Sequence, residues 1–296
     1  MYELVKNALS SRFRESMDLF SRTYGARTTP ITAYRSGRNF VEVKGIQLVD
    51  WLRQGPTTDA FVRALNELVF EARVVVFRDQ GIVAGADQVE ISKWFNPLES
   101  TFYKHPMSPH PDVFRVSNDA AMGCTGVGRT GWHVDGSFQP SPFSHALYHI
   151  WSCPSQGETA FLPLEEFHLG LEEGFRNRLE GLSMLSDRRS TQAKPVVYTH
   201  PKTGRKTMCF HLGMIAGFKT AEGRVTGLRE TNQLLDELEK EIIQSRLIYT
   251  HEWKEGDFII TDNCAVAHEA APSTQLPVEE VGLRVMHRTT TTGWVR

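Results

Sequence analysis

Six short runs rich in β-branched and aromatic residues set the strongest limit on the fold. They are "ARVVVFRD" at 72–79, "VFRVSND" at 113–119, "HALYHIWS" at 145–152, "KTMCFHL" at 206–212, "DFIITDN" at 257–263 and "LRVMHRTTTT" at 283–292. Such residues favour extended chain with a buried face. Pro140 and Pro142, Pro154 and Gly157, "HPKTGRK" at 200–206 and "KEGD" at 254–257 punctuate them as turns. Helical spacing shows in two places. Tyr2, Val5, Leu9, Phe13, Met17, Phe20 and Tyr24 recur every three or four residues, and Glu3, Glu15 and Asp18 among the arginines favour a packed helix over a transit segment. "TNQLLDELEKEIIQSR" at 231–246 places Leu234, Leu235, Leu238, Ile242 and Ile243 on one face, with Thr231 as a cap. Many short strands, with helices mostly in the first third and in one late insertion, predict a mainly β architecture with helical cladding (α+β), a barrel or a sandwich. With no repeat and no low-complexity linker, residues 1–296 read as a single domain, with an N-terminal helix within 1–30 and a helical insertion at 213–246.

Composition removes several function classes. A formal net charge of -2 offers no basic surplus for nucleic acid or an anionic membrane. No apolar run approaches the ~18 residues of a membrane span. Cys124, Cys153, Cys209 and Cys264 form no C-x-x-C pair, which points to reduced thiols in a cytoplasmic setting rather than a zinc knuckle or disulfide framework. The expected partner is a small molecule, with room for a homo-oligomer.

The chemistry concentrates in "GWHVDGSF" at 131–138. On a strand, His133 and Asp135 share a face with Cα atoms about 6.5–7 Å apart, so both can reach one ion. A second imidazole from elsewhere would complete the 2-His-1-carboxylate set that suits Fe(II) with open positions. Eleven histidines and 35 acidic residues make about one such pair a chance expectation, so the pair alone proves little. Context adds weight. "DFIITDNCAVAHEAAP" runs from an apolar strand into His268, and "GLRVMHRTT" puts Arg284, Met286 and Arg288 on one strand face and His287 on the other. Two guanidinium groups on an inward face need anions to meet.

These blocks resemble the taurine dioxygenase-like (TauD/TfdA-like) family of Fe(II)/2-oxoglutarate-dependent oxygenases. "VVVFRDQ" at 74–80 and "WFNPLE" at 94–99 are similar to its early segments. "HVDGSFQPSPFSHALYHIWSCPSQGETAFLPLEEF" is similar to its metal strand and the turn into a threonine, "THPKTGRKTMCFH" to its hairpin, and "WKEGDFIITDNCAVAHEA" to its distal histidine segment. The resemblance implies a double-stranded β-helix (jelly roll). It implies Fe(II) on His133, Asp135 and His268, 2-oxoglutarate held by Arg284 and Thr159, and O2 as the other cosubstrate. Arg288 falls where relatives bind a carboxylate or sulfonate substrate. Arg129, Lys104 and Tyr103 stand near the regions that read the substrate, where this chain departs from the residues expected for taurine itself. Arg188, Arg189 and Lys194 are further helpers, set against a solvated loop. Trp132, Phe138, Phe143 and Met286 are expected to line the pocket.

The function that follows is oxidation of an unactivated C–H bond in a small anionic metabolite, most simply by hydroxylation, with release of succinate and CO2. Oxidative cyclisation or desaturation of an amino-acid-derived precursor in specialised metabolism uses the same chemistry. From other classes, a zinc hydrolase would need Glu269 as general base, and a non-catalytic jelly-roll binding protein would leave the ligand set unexplained. His105, His145, His149, His200 and His211 are not expected to touch the metal: His145 and His149 share a strand face, His200 precedes Pro201 in a turn, His211 ends a strand and His105 is near the pocket only by analogy.

Overall fold

The computed structural model describes residues 2–30, 40–55, 57–101, 103–186 and 192–294; Arg188 and Arg189 lie outside the described residues. Each of the six runs contains a strand: Val74–Phe77, Phe114–Ser117, His145–Ser152, Lys206–Met208, Phe258–Asp262 and Val285–Thr291. The largest sheet runs in the order Arg27–Pro30, Phe40–Lys44, Val74–Phe77, Phe258–Asp262, His145–Ser152 and Val285–Thr291. Leu98–Glu99 and Phe114–Ser117 share the outer side of that last strand. Pairing is antiparallel except between Phe40–Lys44 and Val74–Phe77, which are parallel and joined through the helix Thr57–Ala72, as a parallel pair requires a crossover. A second sheet, Tyr249–His251, Thr159–Pro163 and Val266–Ala270, is extended by bridges from His268 to His133 and from His133 to His211. The fold is a jelly roll with helical cladding.

Period-two alternation in the sequence decides what each face of the large sheet meets. Ala146, Tyr148, Ile150, Val74, Val76, Ile259 and Met286 turn inward and pack with Phe161, Tyr249 and Val266 of the second sheet. Leu147, Val75, Phe77, Phe258 and Ile260 turn outward and pack under helices. The cover there is Thr57–Ala72, whose Phe61, Leu65, Leu68, Val69 and Ala72 are all fully buried. This helix has a 3.6-residue apolar stripe that the sequence reading above does not single out. The N-terminal helix spans Tyr2–Tyr24 and docks through Met17, Phe20 and Tyr24 against the same cluster; Arg27–Pro30 after it is an edge strand.

The segment 213–246 holds the strand Ile215–Thr220 as well as the helix Leu228–Gln244. Thr231 is not the cap. The cap is Gly227, four residues earlier, and Thr231 Oγ1 donates back to the Gly227 carbonyl at 2.9 Å. Leu234, Leu238 and Ile242 are buried against the second sheet's outer side, while Ile243 is 64% exposed. The buried face follows i, i+4, i+8, and Ile243 lies about 100° around from Ile242. Leu238→Ala should therefore lower the unfolding free energy by about 2–5 kcal/mol, and Ile243→Ala should stay within about 0.5 kcal/mol of wild type. Paired urea melts check both.

Candidate active site

The two sheets bring together residues far apart in sequence. His133 N donates to the His268 carbonyl at 3.1 Å and His268 N to the His133 carbonyl at 2.9 Å, so the two side chains are lateral neighbours with ring centroids 4.3 Å apart. The expectation of a strand through 133–135 needs correction. His133 is a single bridge residue, and Asp135 already lies in a turn whose next residue, Gly136, has φ +70°. What aims Asp135 is Asn263. Its Oδ1 accepts from Asp135 N at 3.1 Å, and its Nδ2 donates to the Asp135 and Phe143 carbonyls at 2.9 and 2.8 Å.

One donor atom from each of His133, Asp135 and His268 lies within 4.8 Å of the others, all three residues buried. His133 Nδ1 is 2.8 Å from the Gly131 carbonyl. A hydrogen there bonds that carbonyl and leaves the Nε2 lone pair turned toward Asp135, 4.0 Å away. Burial holds His133 down to about 4 and pushes His268 down as well, so both imidazoles are neutral donors at neutral pH. Asp135 shows the opposite balance. Burial alone would raise it, but Arg288 above all holds it down to about 2, as a carboxylate. Neutral imidazoles, an ionised carboxylate and convergent geometry fit a divalent metal ion.

A cavity beside this set is lined by Val116, Val127, Gly128, Tyr148, Thr159, Ala270, Arg284, Met286 and Arg288 in addition to both histidines. As the alternation requires, Arg284, Met286 and Arg288 face it, whereas His287 points away and meets Arg115 at 2.7 Å. Arg284 is 3% exposed, and among the described residues it has no carboxylate partner; its Nε is buried without a hydrogen bond. Burial pushes its guanidinium down to about 10. Gly157, at φ +122°, lets the chain pass over it: a Cβ there would sit 3.2 Å from Arg284 Cδ. Thr159 Oγ1 accepts from the Trp253 indole at 3.0 Å, so its own hydroxyl hydrogen remains to donate. Arg288 Nη1 donates to Asp135 Oδ1 at 2.7 Å, and its Nε is buried without a hydrogen-bond partner among the described residues.

Other expected residues fall elsewhere. Tyr103 and Lys104 do not line the cavity: Tyr103 stacks on Phe114 at 4.6 Å, whose ring lies under the Arg288 guanidinium at 4.8 Å, and exposed Lys104 reaches the Pro111 carbonyl. Arg129 neighbours the cavity through Gly128, but its guanidinium bonds the Ala270 carbonyl and lies 3.8 Å from Glu269. Lys194 Nζ holds the Ser137 carbonyl at 2.8 Å. Of the expected apolar lining only Met286 is in place. Trp132 has the opposite parity to His133 and joins the core outside the second sheet, and Phe143 packs over Gly136. His105 meets the Ala120 carbonyl, and His200 pins its own turn, taking Lys202 N and Thr203 N on Nδ1 and facing Asp262 through Nε2. Asn263, Trp253 and Tyr148 were not singled out by the sequence. Tyr148 carried a signal: in "HALYHIWS" it has the parity opposite to the outward histidines.

Comparison with known proteins agrees with this geometry. Residues 28–290 match the sequence profile described as "Taurine catabolism dioxygenase TauD, TfdA family". The chain belongs to that family. It is an Fe(II)- and 2-oxoglutarate-dependent oxygenase. It is 29% identical over 243 residues to an alpha-ketoglutarate-dependent 2,4-dichlorophenoxyacetate dioxygenase of Cupriavidus pinatubonensis, covering 70% of this chain and 82% of that one. It is 26% identical over 277 residues to an alpha-ketoglutarate-dependent sulfonate dioxygenase of Saccharomyces cerevisiae, covering 83% and 63%. A crystal structure described as a putative alpha-ketoglutarate-dependent taurine dioxygenase from Burkholderia xenovorans superposes with TM-score 0.73 at 23% identity, covering 91% and 93%, which carries the fold. No helix among the described residues is long and apolar enough to cross a membrane.

The histidines outside the cavity have a consequence for stability. Burial holds His145 at about 4 and His287 at about 3. Unfolded imidazoles titrate near 6.5, so below that pH the unfolded chain binds more protons than the folded one. The stability tied to each neutral imidazole is full above 6.5 and drains as pH falls, by about 1.4 kcal/mol per pH unit each, until the folded pKa is reached. The unfolding free energy of the metal-free protein should fall with this slope on acidification, and His145→Phe should remove its share between pH 6.5 and about 4.

Proposed function

We propose that this oxygenase oxidises a C–H bond of a small molecule with an apolar body and one anionic head, most simply by hydroxylation. In this reading His133, Asp135 and His268 hold Fe(II). Arg284 and Thr159 take the far carboxylate of 2-oxoglutarate, and Arg288 takes the substrate's anion. The observation that carries it is the Arg284 guanidinium, buried without a counter-ion among the described residues beside a ready metal-donor set. An unpaired buried charge costs several kcal/mol, and a bidentate carboxylate removes that cost.

When bound, the iron and 2-oxoglutarate supply the oxidising power for the C–H bond. The chain supplies position. Arg284 and Thr159 fix one end of the cosubstrate against the second sheet, and Arg288 fixes the substrate's charge beside Asp135. Val116, Val127, Ala270 and Met286 exclude water and suit an apolar body rather than a second polar group. Of the described basic residues proposed as anion readers, Arg284 and Arg288 line the cavity while Arg129, Lys104 and Lys194 do not, which supports one anionic head over several. Relatives named for a phenoxyacetate and for sulfonates support the same class. The hydrolase alternative loses its base, because Glu269 alternates away from His268 and lies toward Arg129.

A panel of aryl and alkyl carboxylates and sulfonates, assayed for substrate-stimulated succinate release with iron and ascorbate, tests this. Stimulation by none of the anions but by neutral analogues would overturn it. Arg284→Ala should raise the KM for 2-oxoglutarate about 10- to 100-fold, the scale of a lost charge-assisted hydrogen bond. Arg288→Ala, at saturating iron, should chiefly raise the KM for the prime substrate. The reverse pattern would show the two roles exchanged.

A further inference from the structure

Tyr148 has no part in the reaction as described, yet its hydroxyl touches two members of the donor set. It is 5% exposed, and it faces Arg288 across the two central strands. Its hydroxyl donates to Asp135 Oδ2 at 3.2 Å and lies 3.4 Å from His268 Nε2. Its ring stands edge-on to His268 and to Phe161, with centroids 5.8 and 6.5 Å apart. A phenylalanine would keep the ring contacts, so the hydroxyl is there for its polar neighbours and not for packing.

The arrangement around Asp135 is a clamp. Asn263 fixes its backbone, Arg288 takes Oδ1 and Tyr148 takes Oδ2. Each carboxylate oxygen has two lone-pair directions, so an oxygen that accepts one hydrogen bond still has a direction to offer an ion. A carboxylate held at both oxygens cannot rotate about its Cβ–Cγ bond without breaking both contacts. Groups of this kind, bonded to a metal ligand rather than to the metal, commonly change metal affinity 10- to 100-fold.

We propose that Tyr148 is a positioning residue for the metal, its hydroxyl locking the rotation of the Asp135 carboxylate so that a fixed oxygen edge faces His133 and His268. The proposal rests on the assignment of those three residues as the metal ligands. It differs from the proposed anion-binding roles of Arg284 and Arg288 in needing no organic ligand.

The test is titration of the metal-free protein with Mn(II) and with Co(II), without 2-oxoglutarate or substrate. Tyr148→Phe should bind Mn(II) about 10-fold more weakly than wild type and should shift the visible ligand-field bands of the Co(II) form, while the metal-free variant keeps its thermal midpoint. Tyr148→Leu serves if the phenylalanine variant does not fold, with the same expectation. An unchanged dissociation constant and unchanged Co(II) bands would overturn the proposal, as would an affinity loss accompanied by an equal loss of the metal-free fold. His133→Ala separates this from failure of the underlying assignment. If His133→Ala binds Mn(II) as wild type does, the ligand set is wrong; if it loses Mn(II) and Tyr148→Phe does not weaken, only the role of Tyr148 falls.

Discussion

Two backbone hydrogen bonds between His133 and His268, at 3.1 and 2.9 Å, hold the site together. They join residues 135 positions apart, and without them the two imidazoles would have no reason to be neighbours. Their register is set by apolar packing. Val266 and Phe161 turn into the sandwich, and Ala267 and Leu162 turn to the outer core. A one-residue slip of Val266–Ala270 would reverse every one of those placements. His268 therefore faces the cavity because its neighbours are apolar on alternate sides, and the site inherits its precision from the core.

Asp135 is the second fixed point, and it is held differently. It stands in a turn, where no ladder fixes the backbone, so side chains supply what the strand supplies for His133 and His268. Asn263 replaces the missing strand partner, giving and accepting as a neighbouring peptide would. Arg288 and Tyr148 come from adjacent strands of the opposite sheet, so the carboxylate spans the sandwich and ties its two sheets together. Breaking the Asn263 or Arg288 contact leaves a buried polar group unmatched, which costs about 1–3 kcal/mol.

The strands and the shared face of Arg284, Met286 and Arg288 were legible in the sequence because period-two alternation is local and strong. His133, Asp135, His268, Thr159, Arg284 and Arg288 were placed through family resemblance, and the structure gathers all six around one cavity. Tyr103 and Lys104 were placed by correspondence with the family's substrate-reading segment; Lys104 turns to solvent, and Tyr103 meets Arg288 only through the Phe114 ring between them. Asn263 and Trp253 act by hydrogen bonds across loops and between sheets, which leave no periodic trace. The helix Thr57–Ala72 was readable in principle, since Phe61, Leu65, Leu68 and Ala72 keep helical spacing. Thr231 and Ile243 show where one-dimensional reading loses accuracy: the helix began earlier than its polar signal, and one apolar position fell just off the buried arc.

Charge balance gives the last step. In the cavity the chain places one carboxylate, Asp135, against two guanidinium groups, with both imidazoles neutral. On the proposed reading a divalent metal ion and a doubly charged 2-oxoglutarate cancel each other, which leaves a single positive charge on the apolar inner face. Burying that excess is costly in a low-dielectric interior, and a substrate with one negative charge removes it. A dianion would overshoot, and a neutral molecule would leave Arg288 shared with Asp135 alone. On the proposed reading, preference for a monoanion follows from the number of charges that one strand and one turn bring into the sandwich.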